Sequence, residues 1–529
     1  MNDTILRIVS AVICALFFCA GTLKMLGAIQ QSGYKNKLFL RWLKREENVY
    51  YGRLCVWMLC LMLPTAITAL CFSFLGAPFA LVVSSAPFFA VALGFVFADW
   101  KYALKVSLQV TNRIRRLLAV YLLITACVCY AWISFLYFLS VLNGSKLYAL
   151  IAYVPFALVP LALPLLLCIA NAITSVFENA RNRKFVKRAG QVLDETKIIR
   201  IGIVGSYGKT SIKNILKTIL SEKYEVVATP ESYNTPIGIA KTVAGEDFSK
   251  NQIFIAEMGA RKAGDIAELC ALVKPDYAVF TGVCEQHIET FGSVENVFAE
   301  KSEILRCGAK VVCAESLKPF VSEGKNVLFA NGDYIKEKTL SATETKFTLL
   351  LDGEAVAVST ELLGESAVEN VLLAVTLAHE MGMAAEEIGR GIAKIKSIPH
   401  RLQLLRTGDA YVLDDGYNSN VRGAKESLAA LARFSGKKCV VTPGIVECGI
   451  LEEKINQELG AQIAQIVPDL VILVGSTLVG AVKTGYQNAQ GDMEKLCVVK
   501  TLQAAQEKLV GWADAGDCVL FLNDLPDVY

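Results

Sequence analysis

Paired metal-binding motifs are missing from this chain. It has only three histidines in 529 residues, and none of its sixteen cysteines forms a Cys-x-x-Cys pair. The pattern excludes a zinc ribbon or a small disulfide scaffold. The cysteines are therefore read as reduced, small apolar residues.

Charge of either sign is also sparse. Lys and Arg number 53 against 50 Asp and Glu, which gives a net charge of +3, and charged residues make up 19% of the chain. No repeat, low-complexity tract or nucleic-acid motif accompanies this balance. The basic residues flank apolar runs, so they favour contact with anionic lipids over a nucleic-acid partner.

Apolar residues are abundant instead, at 54% with a mean hydropathy of +0.44, and they concentrate in the first third. Five runs reach about 19 residues or more, long enough to cross a hydrocarbon core. The runs are Ile5–Leu23, Leu54–Leu75, Ala77–Phe97, Leu117–Val141 and Leu147–Ile173. We predict a transmembrane domain over residues 1–180, followed by a basic connector over 181–198. The first run is read as a span and not a cleaved signal peptide, because Lys24 and further apolar runs follow it.

Basic residues predict the orientation of these spans, since Lys and Arg resist translocation. The basic residues lie in three segments. The segment after the first run contains Lys24, Lys35, Lys37, Arg41, Lys44, Arg45 and Arg53, and the segment after the third contains Lys101, Lys105, Arg113, Arg115 and Arg116. The segment after the fifth run contains Arg181, Arg183, Lys184, Lys187 and Arg188. The two short opposite segments carry only Lys146. The three basic segments are predicted to be cytoplasmic, which places the N-terminus outside and the C-terminus in the cytoplasm.

The segment from Ile198 to Ser211 has the pattern of a buried strand, a glycine turn and a helix that opens on Lys-Thr. Gly205 and Gly208 allow backbone amides to close on phosphate oxygens, Lys209 supplies a positive charge, and the Thr210 hydroxyl suits Mg²⁺. The loop is shorter than the strict GxxxxGK[ST] pattern, which needs a glycine where Ile203 stands. The segment predicts an ATP-binding site.

Strands and helices alternate from Arg200 to about Ile398, as in a doubly wound sheet, whose functional residues lie at the carboxyl ends of the strands. Glu257 ends the predicted strand that begins at Ile253, and His287 follows the strand Tyr277–Thr281. Both are candidate metal ligands, although a strand-end glutamate and a lone histidine are often structural. Lys301 falls in a predicted amphipathic helix, Phe298–Leu305, where composition alone makes it a surface lysine. A hairpin is predicted around Asp352-Gly353.

A second alternation predicts a small Rossmann-like C-terminal domain over residues 399–529, with Pro399 at a hinge. Its predicted strands are Ala410–Leu413, Cys439–Thr442, Leu470–Val474, Cys497–Val499 and Cys518–Leu522.

From about Arg200 to Tyr529 the chain resembles the Mur ligase family, the ATP-dependent amide-forming enzymes of peptidoglycan precursor synthesis. It is most similar to the members that add D-alanyl-D-alanine to UDP-muramoyl tripeptide. The resemblance rests on five ordered motifs: Gly205-Ser-Tyr-Gly-Lys-Thr-Ser211, Ser232-Tyr-Asn-Thr-Pro-Ile-Gly238, Glu257-Met-Gly-Ala-Arg-Lys-Ala-Gly-Asp-Ile-Ala-Glu-Leu269, His287-Ile-Glu-Thr-Phe-Gly-Ser293 and Leu413-Asp-Asp-Gly-Tyr-Asn-Ser-Asn420. It implies a P-loop-type central domain over 199–398 and a C-terminal domain that closes on it.

The resemblance also implies roles. ATP would contact Gly205, Ser206, Tyr207, Gly208, Lys209, Thr210, Ser211, Asn370, Arg401 and Asp415. Two Mg²⁺ ions would be held by Thr210, Glu257, His287 and a carbamylated Lys301, and the catalytic set would be Lys209, Glu257, His287 and Lys301. Asn234, Tyr417, Asn418 and Asn420 would contact the substrates, with Asn234 close to the metals. ATP would phosphorylate a carboxylate, and an amine would then attack the acyl phosphate.

Several positions depart from the family pattern. Ser366-Ala367 replaces the usual His-Asn, and His400-Arg401 the usual Gly-Arg, near the adenine-binding residues. Ser232 replaces the first asparagine of an Asn-x-Asn pair, and the C-terminus lacks a Lys-Gly-Ser run, so the incoming amine is left open. A membrane domain stands where the family has a soluble UDP-sugar-binding domain. The acceptor is therefore expected to be UDP-linked or lipid-linked, and recognised by the membrane domain or by a partner.

The apolar runs predict a multi-pass protein, and with the resemblance they place it in the bacterial cytoplasmic membrane. The resemblance implies an amino acid or dipeptide as second substrate and a cell-wall synthesis complex as a possible assembly. Three alternatives stay open: a poly-γ-glutamate synthase, a transport ATPase and a catalytically silent scaffold. The transport reading is disfavoured because the spans contain few ionisable residues, and the scaffold reading because Lys209, Thr210, Glu257, His287 and Lys301 are all present.

Overall fold

The computed structural model describes residues 3–44, 108–143, 159–231, 233–284, 288–417, 420–446, 448–475 and 477–523, with three isolated residues between 56 and 94. The chain divides into two compact units, one made mainly of residues 1–181 and the other of residues 182–524.

The first unit is helical. Its described helices are α1 (Asp3–Ala20), α2 (Leu23–Gln31), α3 (Asn36–Leu43), α4 (Asn112–Asn143) and the long α5 (Val159–Glu195), which continues into the second unit. Two segments are long and apolar enough to cross a membrane, Asn112–Phe135 and Leu161–Glu195, and the pair α1–α2, bent by 54°, is a third if it forms one span.

These helices correct the predicted spans. The described residues contain two or three candidates where five were predicted, and the predicted runs Leu54–Leu75 and Ala77–Phe97 lie outside the described residues. The last helix extends past Ile173 to Glu195, so most of the predicted connector is the end of the same helix. Hydropathy marks where the apolar run ends, but the helical hydrogen bonding of the backbone continues into the charged residues that follow.

Residues 199–329 form a six-stranded parallel sheet in the order β2-β3-β1-β4-β5-β6. Its strands are β1 (Ile199–Val204), β2 (Val226–Ala228), β3 (Ile253–Glu257), β4 (Tyr277–Phe280), β5 (Lys310–Cys313) and β6 (Val327–Phe329). The helices between them are α6 (Lys209–Leu220), α7 (Pro236–Gly245), α8 (Asp265–Val273), α9 (Ile288–Phe291) and α10 (Val294–Lys301). Because the strands are parallel, their carboxyl ends meet at one edge.

An antiparallel sheet follows, made of β7 (Ile335–Leu340), β8 (Thr345–Leu351) and β9 (Glu354–Thr360). The predicted hairpin at Asp352-Gly353 is confirmed, since both residues have positive φ, 51° and 85°, between β8 and β9. Helices α11 (Glu365–Glu380) and α12 (Ala385–Ala393) then pack with α6 on one face of the parallel sheet, around Ile203, Ile215 and Val371. The end of α5, at Leu193, packs on the other face with α7 and α8.

The C-terminal sheet has the order β10-β11-β15-β12-β13-β14, parallel except for the β10–β11 pair. Its strands are β10 (Gln403–Thr407), β11 (Ala410–Asp415), β12 (Lys438–Thr442), β13 (Leu470–Val474), β14 (Leu496–Val499) and β15 (Cys518–Leu522), and its helices are α13 (Val421–Leu431), α14 (Glu452–Gln465), α15 (Val479–Asn488) and α16 (Leu502–Leu509). All five predicted C-terminal strands are present, and β10 is an additional edge strand.

Candidate active site

The loop from Gly205 to Gly208 connects β1 to α6 as predicted. Gly208 caps α6 with φ of 71°, and Gly205 has φ of 154°. A Cβ at Gly205 would come within 1.8 Å of the Thr281 hydroxyl, so only glycine fits there. The buried Ser206 hydroxyl has no hydrogen-bond partner among the described residues. A buried hydroxyl without a partner, in a loop of backbone amides at a helix N-terminus, is the arrangement expected for a phosphate-binding loop.

Two lysines converge on this loop. Lys209 Nζ donates a hydrogen bond to the Gly205 carbonyl oxygen at 2.7 Å, and Lys301 Nζ donates to the same oxygen at 3.1 Å. Burial lowers the pKa of Lys209, with the charge of Glu257 opposing and that of Arg401 adding to the effect. Burial, and then the charge of Lys209, lower the pKa of Lys301 to about 7. The two amino groups are close enough for the charge of one to disfavour the charged form of the other.

Lys301 corrects the expectation from composition. It ends α10 and is 1% exposed, so it is not a surface lysine. The predicted helix Phe298–Leu305 is an α-helix only to Lys301 and continues as a 3₁₀ turn over Ser302–Arg306. The preceding residue, Glu300, is also buried and accepts hydrogen bonds from the N–H groups of Gly264 and Ile266, both at 2.7 Å, which fixes the lysine-bearing helix to the start of α8.

Glu257 is the centre of the polar contacts at the sheet edge. One carboxylate oxygen accepts hydrogen bonds from the Thr210 hydroxyl at 2.9 Å and from Lys213 Nζ at 3.1 Å. The other oxygen accepts from Asn234 Nδ2 at 3.2 Å. The structure thus brings together Thr210, Glu257 and Asn234, which the sequence analysis placed at one site.

Lys213 was missed by the sequence analysis. It lies one turn after Lys209 and is 2% exposed, and its ammonium group also donates to the backbone carbonyl of Glu231. Burial lowers its pKa, and the neighbouring Glu257 carboxylate opposes that effect. The available signal was its place between Ile212 and Ile215, on the apolar face of α6, where a lysine must find a buried anion.

The C-terminal domain contacts the phosphate loop through Arg422, a residue that the sequence analysis did not predict for this site. Its guanidinium stacks on the Tyr207 ring, 4.5 Å from the ring centre, and donates to the Tyr207 hydroxyl at 2.8 Å. It also forms an ion pair with Glu369 of α11, the neighbour of Asn370. Asn370 Oδ1 would lie 2.6 Å from a Cβ at Gly208, so it faces the loop. The side chain of Tyr207 is therefore held toward the C-terminal domain.

The other predicted residues of the C-terminal domain make local contacts within that domain. Arg401 stacks on the ring of Tyr417 at 4.5 Å. Asp415 accepts hydrogen bonds from the Leu402 N–H at 3.2 Å and from the Ser427 hydroxyl at 2.7 Å. Asn420 caps α13 by accepting a hydrogen bond from the Gly423 N–H at 2.9 Å.

His287 and Asn418 lie outside the described residues. Within the described part of the chain, no group of three or more His, Cys, Asp or Glu side chains forms a metal cluster. The hydroxyl of Thr210 and the carboxylate of Glu257 are nonetheless adjacent oxygen donors of the type that Mg²⁺ prefers, so they fit one such ion.

Comparison with known proteins gives a consistent result. Residues 203–378 match the Mur ligase middle domain. The UDP-N-acetylmuramoyl-tripeptide–D-alanyl-D-alanine ligase of Bacillus subtilis is 28% identical over 336 residues, covering 61% of this chain and 72% of that protein. The protein of the same name from Escherichia coli is 27% identical over 290 residues, covering 52% of this chain and 64% of that protein.

Among solved structures, the MurF ligase of Thermotoga maritima in complex with ADP superposes with a TM-score of 0.58 and 25% sequence identity. The superposition covers 65% of this chain and 80% of that one.

Proposed function

We propose that this chain, which belongs to the Mur ligase family of ATP-dependent ligases that form carbon–nitrogen bonds, adds D-alanyl-D-alanine to a muramoyl-tripeptide-like acceptor in peptidoglycan precursor synthesis. The relatives named for that reaction support the choice of substrates. The observation that carries the proposal is the convergence of Lys209 and Lys301 on the phosphate loop, beside the Thr210–Glu257 pair.

In the proposed reaction the triphosphate lies along the loop 205–211. Ser206 offers its unpartnered hydroxyl, and Lys209 exchanges its bond to the Gly205 carbonyl for a phosphate oxygen. Asn370, which faces Gly208, is placed on the nucleotide side of the loop. Thr210 and Glu257 would hold one Mg²⁺, and His287 with Lys301 a second, and such ions offset the repulsion between phosphates and an attacking carboxylate when bound.

The bond changes follow from this placement. The acceptor carboxylate attacks the γ-phosphorus, which forms an acyl phosphate and releases ADP. The amine of the dipeptide then attacks the acyl carbon, and the tetrahedral intermediate expels phosphate to leave an amide. Lys209 balances negative charge on the transferred phosphoryl group, and Asn234 would orient the acceptor beside Glu257.

Lys301 is proposed to act as a carbamate. A buried primary amine with a pKa of about 7 is neutral above that pH, and only the neutral amine adds CO₂. The carbamate would supply anionic oxygens where two ammonium groups now share the Gly205 carbonyl.

Activity is therefore expected to depend on CO₂. Wild-type enzyme depleted of CO₂ should lose activity and recover when it is equilibrated with CO₂ gas at a fixed partial pressure. Recovery should be faster at pH 8 than at pH 6, because protonation of the Lys301 amine blocks the reaction below its pKa of about 7. Lys301→Ala should be inactive with bicarbonate and regain part of its activity with a short carboxylic acid. Phosphate release measures both. A Lys301→Ala enzyme with wild-type activity would remove the carbamate from the account.

Arg422 is proposed to couple the C-terminal domain to the phosphate loop. Arg422→Ala is expected to raise the KM for ATP about tenfold, since a cation–π contact and a charge-assisted hydrogen bond together contribute about 1–2 kcal/mol and 1.4 kcal/mol corresponds to tenfold. Arg433→Ala is the matched control, because its guanidinium donates to the carbonyl of Ala429 on its own helix turn. An unchanged KM in Arg422→Ala contradicts the coupling.

We also propose that the first unit anchors the enzyme in the bacterial cytoplasmic membrane with the catalytic unit in the cytoplasm. Its two long apolar helices support this, as does the buried Glu178, which accepts hydrogen bonds from Arg116 at the start of α4 and from Arg181 on α5. Two of the three predicted cytoplasmic basic segments thus meet at one side of the helix pair. A periplasm-active reporter should give signal when fused after Lys146 and none after Arg181, and the reverse result would invert the topology.

The function is tested with the detergent-purified full chain. Phosphate release is measured with ATP, UDP-muramoyl tripeptide and D-alanyl-D-alanine together and with each omitted. The proposal expects release only with all three, and a product heavier than the acceptor by one dipeptide residue. Turnover with glutamate or a single amino acid in place of the dipeptide would instead assign a different amine.

A further inference from the structure

A cavity of about 560 Å³ lies beside the reaction centre and has no role in the mechanism above. Its walls come from β2, from the neighbouring helices α6 and α7, and from residues that follow β2, namely Thr229, Pro230, Glu231 and Tyr233. The cavity thus crosses the end of the parallel sheet, where β2 is the outermost strand.

Four charged side chains line this cavity, two of each sign: Lys217, Lys241, Glu231 and Glu246. None of the four forms an ion pair within the part of the chain that the structure describes. Lys241 instead lies 5.7 Å from the centre of the Tyr233 ring, which also lines the cavity. Charges of both signs on the cavity wall are therefore available to a ligand.

The strand at the cavity wall is suited to a peptide backbone. All three residues of β2, Val226 to Ala228, line the cavity, and β2 pairs only with β3 in the described sheet. The second edge of an end strand presents unpaired N–H and C=O groups. An extended peptide satisfies such groups by adding as a further strand, while flanking side chains select its charges.

The cavity wall is hydrogen-bonded to the backbone of Glu257 and is linked to its carboxylate through Lys213. The Thr229 hydroxyl accepts a hydrogen bond from the Glu257 N–H at 3.1 Å. Lys213 joins the Glu231 carbonyl to the Glu257 carboxylate through one ammonium group. Glu231 has a φ of 43°, a left-handed conformation that this contact helps to hold. A ligand along the free edge of β2 is therefore separated by one strand from β3, which ends in Glu257.

We infer that this cavity binds a short peptide that carries both a carboxylate and an ammonium group, seated along β2. The inference rests on the proposed function, in which both substrates are peptides of this class. The peptide part of the acceptor and the incoming dipeptide share this chemistry, and the experiment distinguishes them.

Gly245→Phe adds a bulky side chain at the cavity wall, where it is expected to obstruct a ligand without disturbing the fold. Gly245 lines the cavity at the end of α7, and a Cβ there meets no atom within 4 Å. Gly480→Phe is the matched control, because Gly480 is an exposed helical glycine on α15 of the C-terminal domain whose Cβ would also meet nothing within 4 Å. Lys241→Gln removes one of the four charges without adding bulk.

The three variants are compared by their KM for acceptor, dipeptide and ATP. Gly245→Phe should raise the KM for one peptide substrate at least about tenfold, and Lys241→Gln should raise the same KM about threefold. Neither substitution should change the KM for ATP. Gly480→Phe should match wild type. A change confined to the acceptor or to the dipeptide identifies the occupant. Unchanged KM values for both peptides in Gly245→Phe overturn the inference.

A failure of the proposed function is distinguishable from this result. If wild type does not turn over the substrate pair, calorimetric titration of wild type and Gly245→Phe with a zwitterionic tripeptide and with D-alanyl-D-alanine tests the cavity by itself. Binding to wild type that is lost in Gly245→Phe supports the inference, and equal or absent binding to both overturns it.

Discussion

Lys209→Ala is expected to lower the rate of ATP-dependent ligation by about 100-fold to 1000-fold, the loss seen when one preorganised group that stabilises transition-state charge is removed. Lys209 is the loop ammonium closest to the Gly205 carbonyl, at 2.7 Å, and no other described side chain takes its place at the start of α6. Lys454→Ala is the control, since Lys454 is an exposed lysine that pairs at 3.8 Å with Glu458 on its own helix.

The fold should survive this substitution. Burial lowers the pKa of Lys209, which means that the protein disfavours the charged form at this position, so removing it relieves a desolvation cost. Thermal unfolding of the detergent-purified variant is expected near the wild-type Tm while phosphate release is lost. Wild-type turnover in Lys209→Ala would refute the phosphate-loop assignment.

Glu257→Gln is expected to lose both activity and stability. It removes the acid proposed to hold Mg²⁺, and it leaves the buried Lys213 ammonium without its counter-charge. Removing one partner of a buried ion pair lowers the free energy of unfolding by about 3–5 kcal/mol, so the Tm should fall by several degrees.

A second substitution separates these two effects. In Glu257→Gln/Lys213→Met the unpaired ammonium is gone, so the Tm should return most of the way to wild type while ligation stays absent. Comparing the single and double variants separates the effect of the Glu257–Lys213 ion pair on stability from the role of Glu257 in ligation. A double variant as unstable as Glu257→Gln, or a single variant with wild-type activity, would contradict the role given to Glu257.

The parts predicted correctly from the sequence are those that local patterns determine. The strand, glycine turn and helix around Gly205 follow from residues within a few positions of each other, and Glu257 at the end of β3 follows from a short apolar run. The burial of Lys301 does not follow from a local pattern, because it depends on a contact with Gly205, 96 residues earlier in the chain. Composition could only call it a surface lysine, and the family resemblance supplied the correct environment.

Lys213 and Arg422 were missed for a related reason. Each is a cation whose partner is distant in sequence: Glu257 is 44 residues from Lys213, and Tyr207 is 215 residues from Arg422. One sequence read by periodicity contains no signal for such pairs beyond a lysine on the apolar face of a helix. Of the five predicted spans, the described residues contain two or three candidate helices, and the runs Leu54–Leu75 and Ala77–Phe97 lie outside the described residues.

The central claim is that this enzyme activates a carboxylate by phosphoryl transfer from ATP, and transfer of an oxygen isotope tests it most directly. The acceptor is labelled with ¹⁸O in the reacting carboxylate, and the released phosphate is analysed by mass spectrometry after one turnover. The account predicts one ¹⁸O atom in each phosphate, because the acyl phosphate bond breaks at the acyl carbon. Unlabelled phosphate with an amide product, or ¹⁸O in AMP, would contradict it.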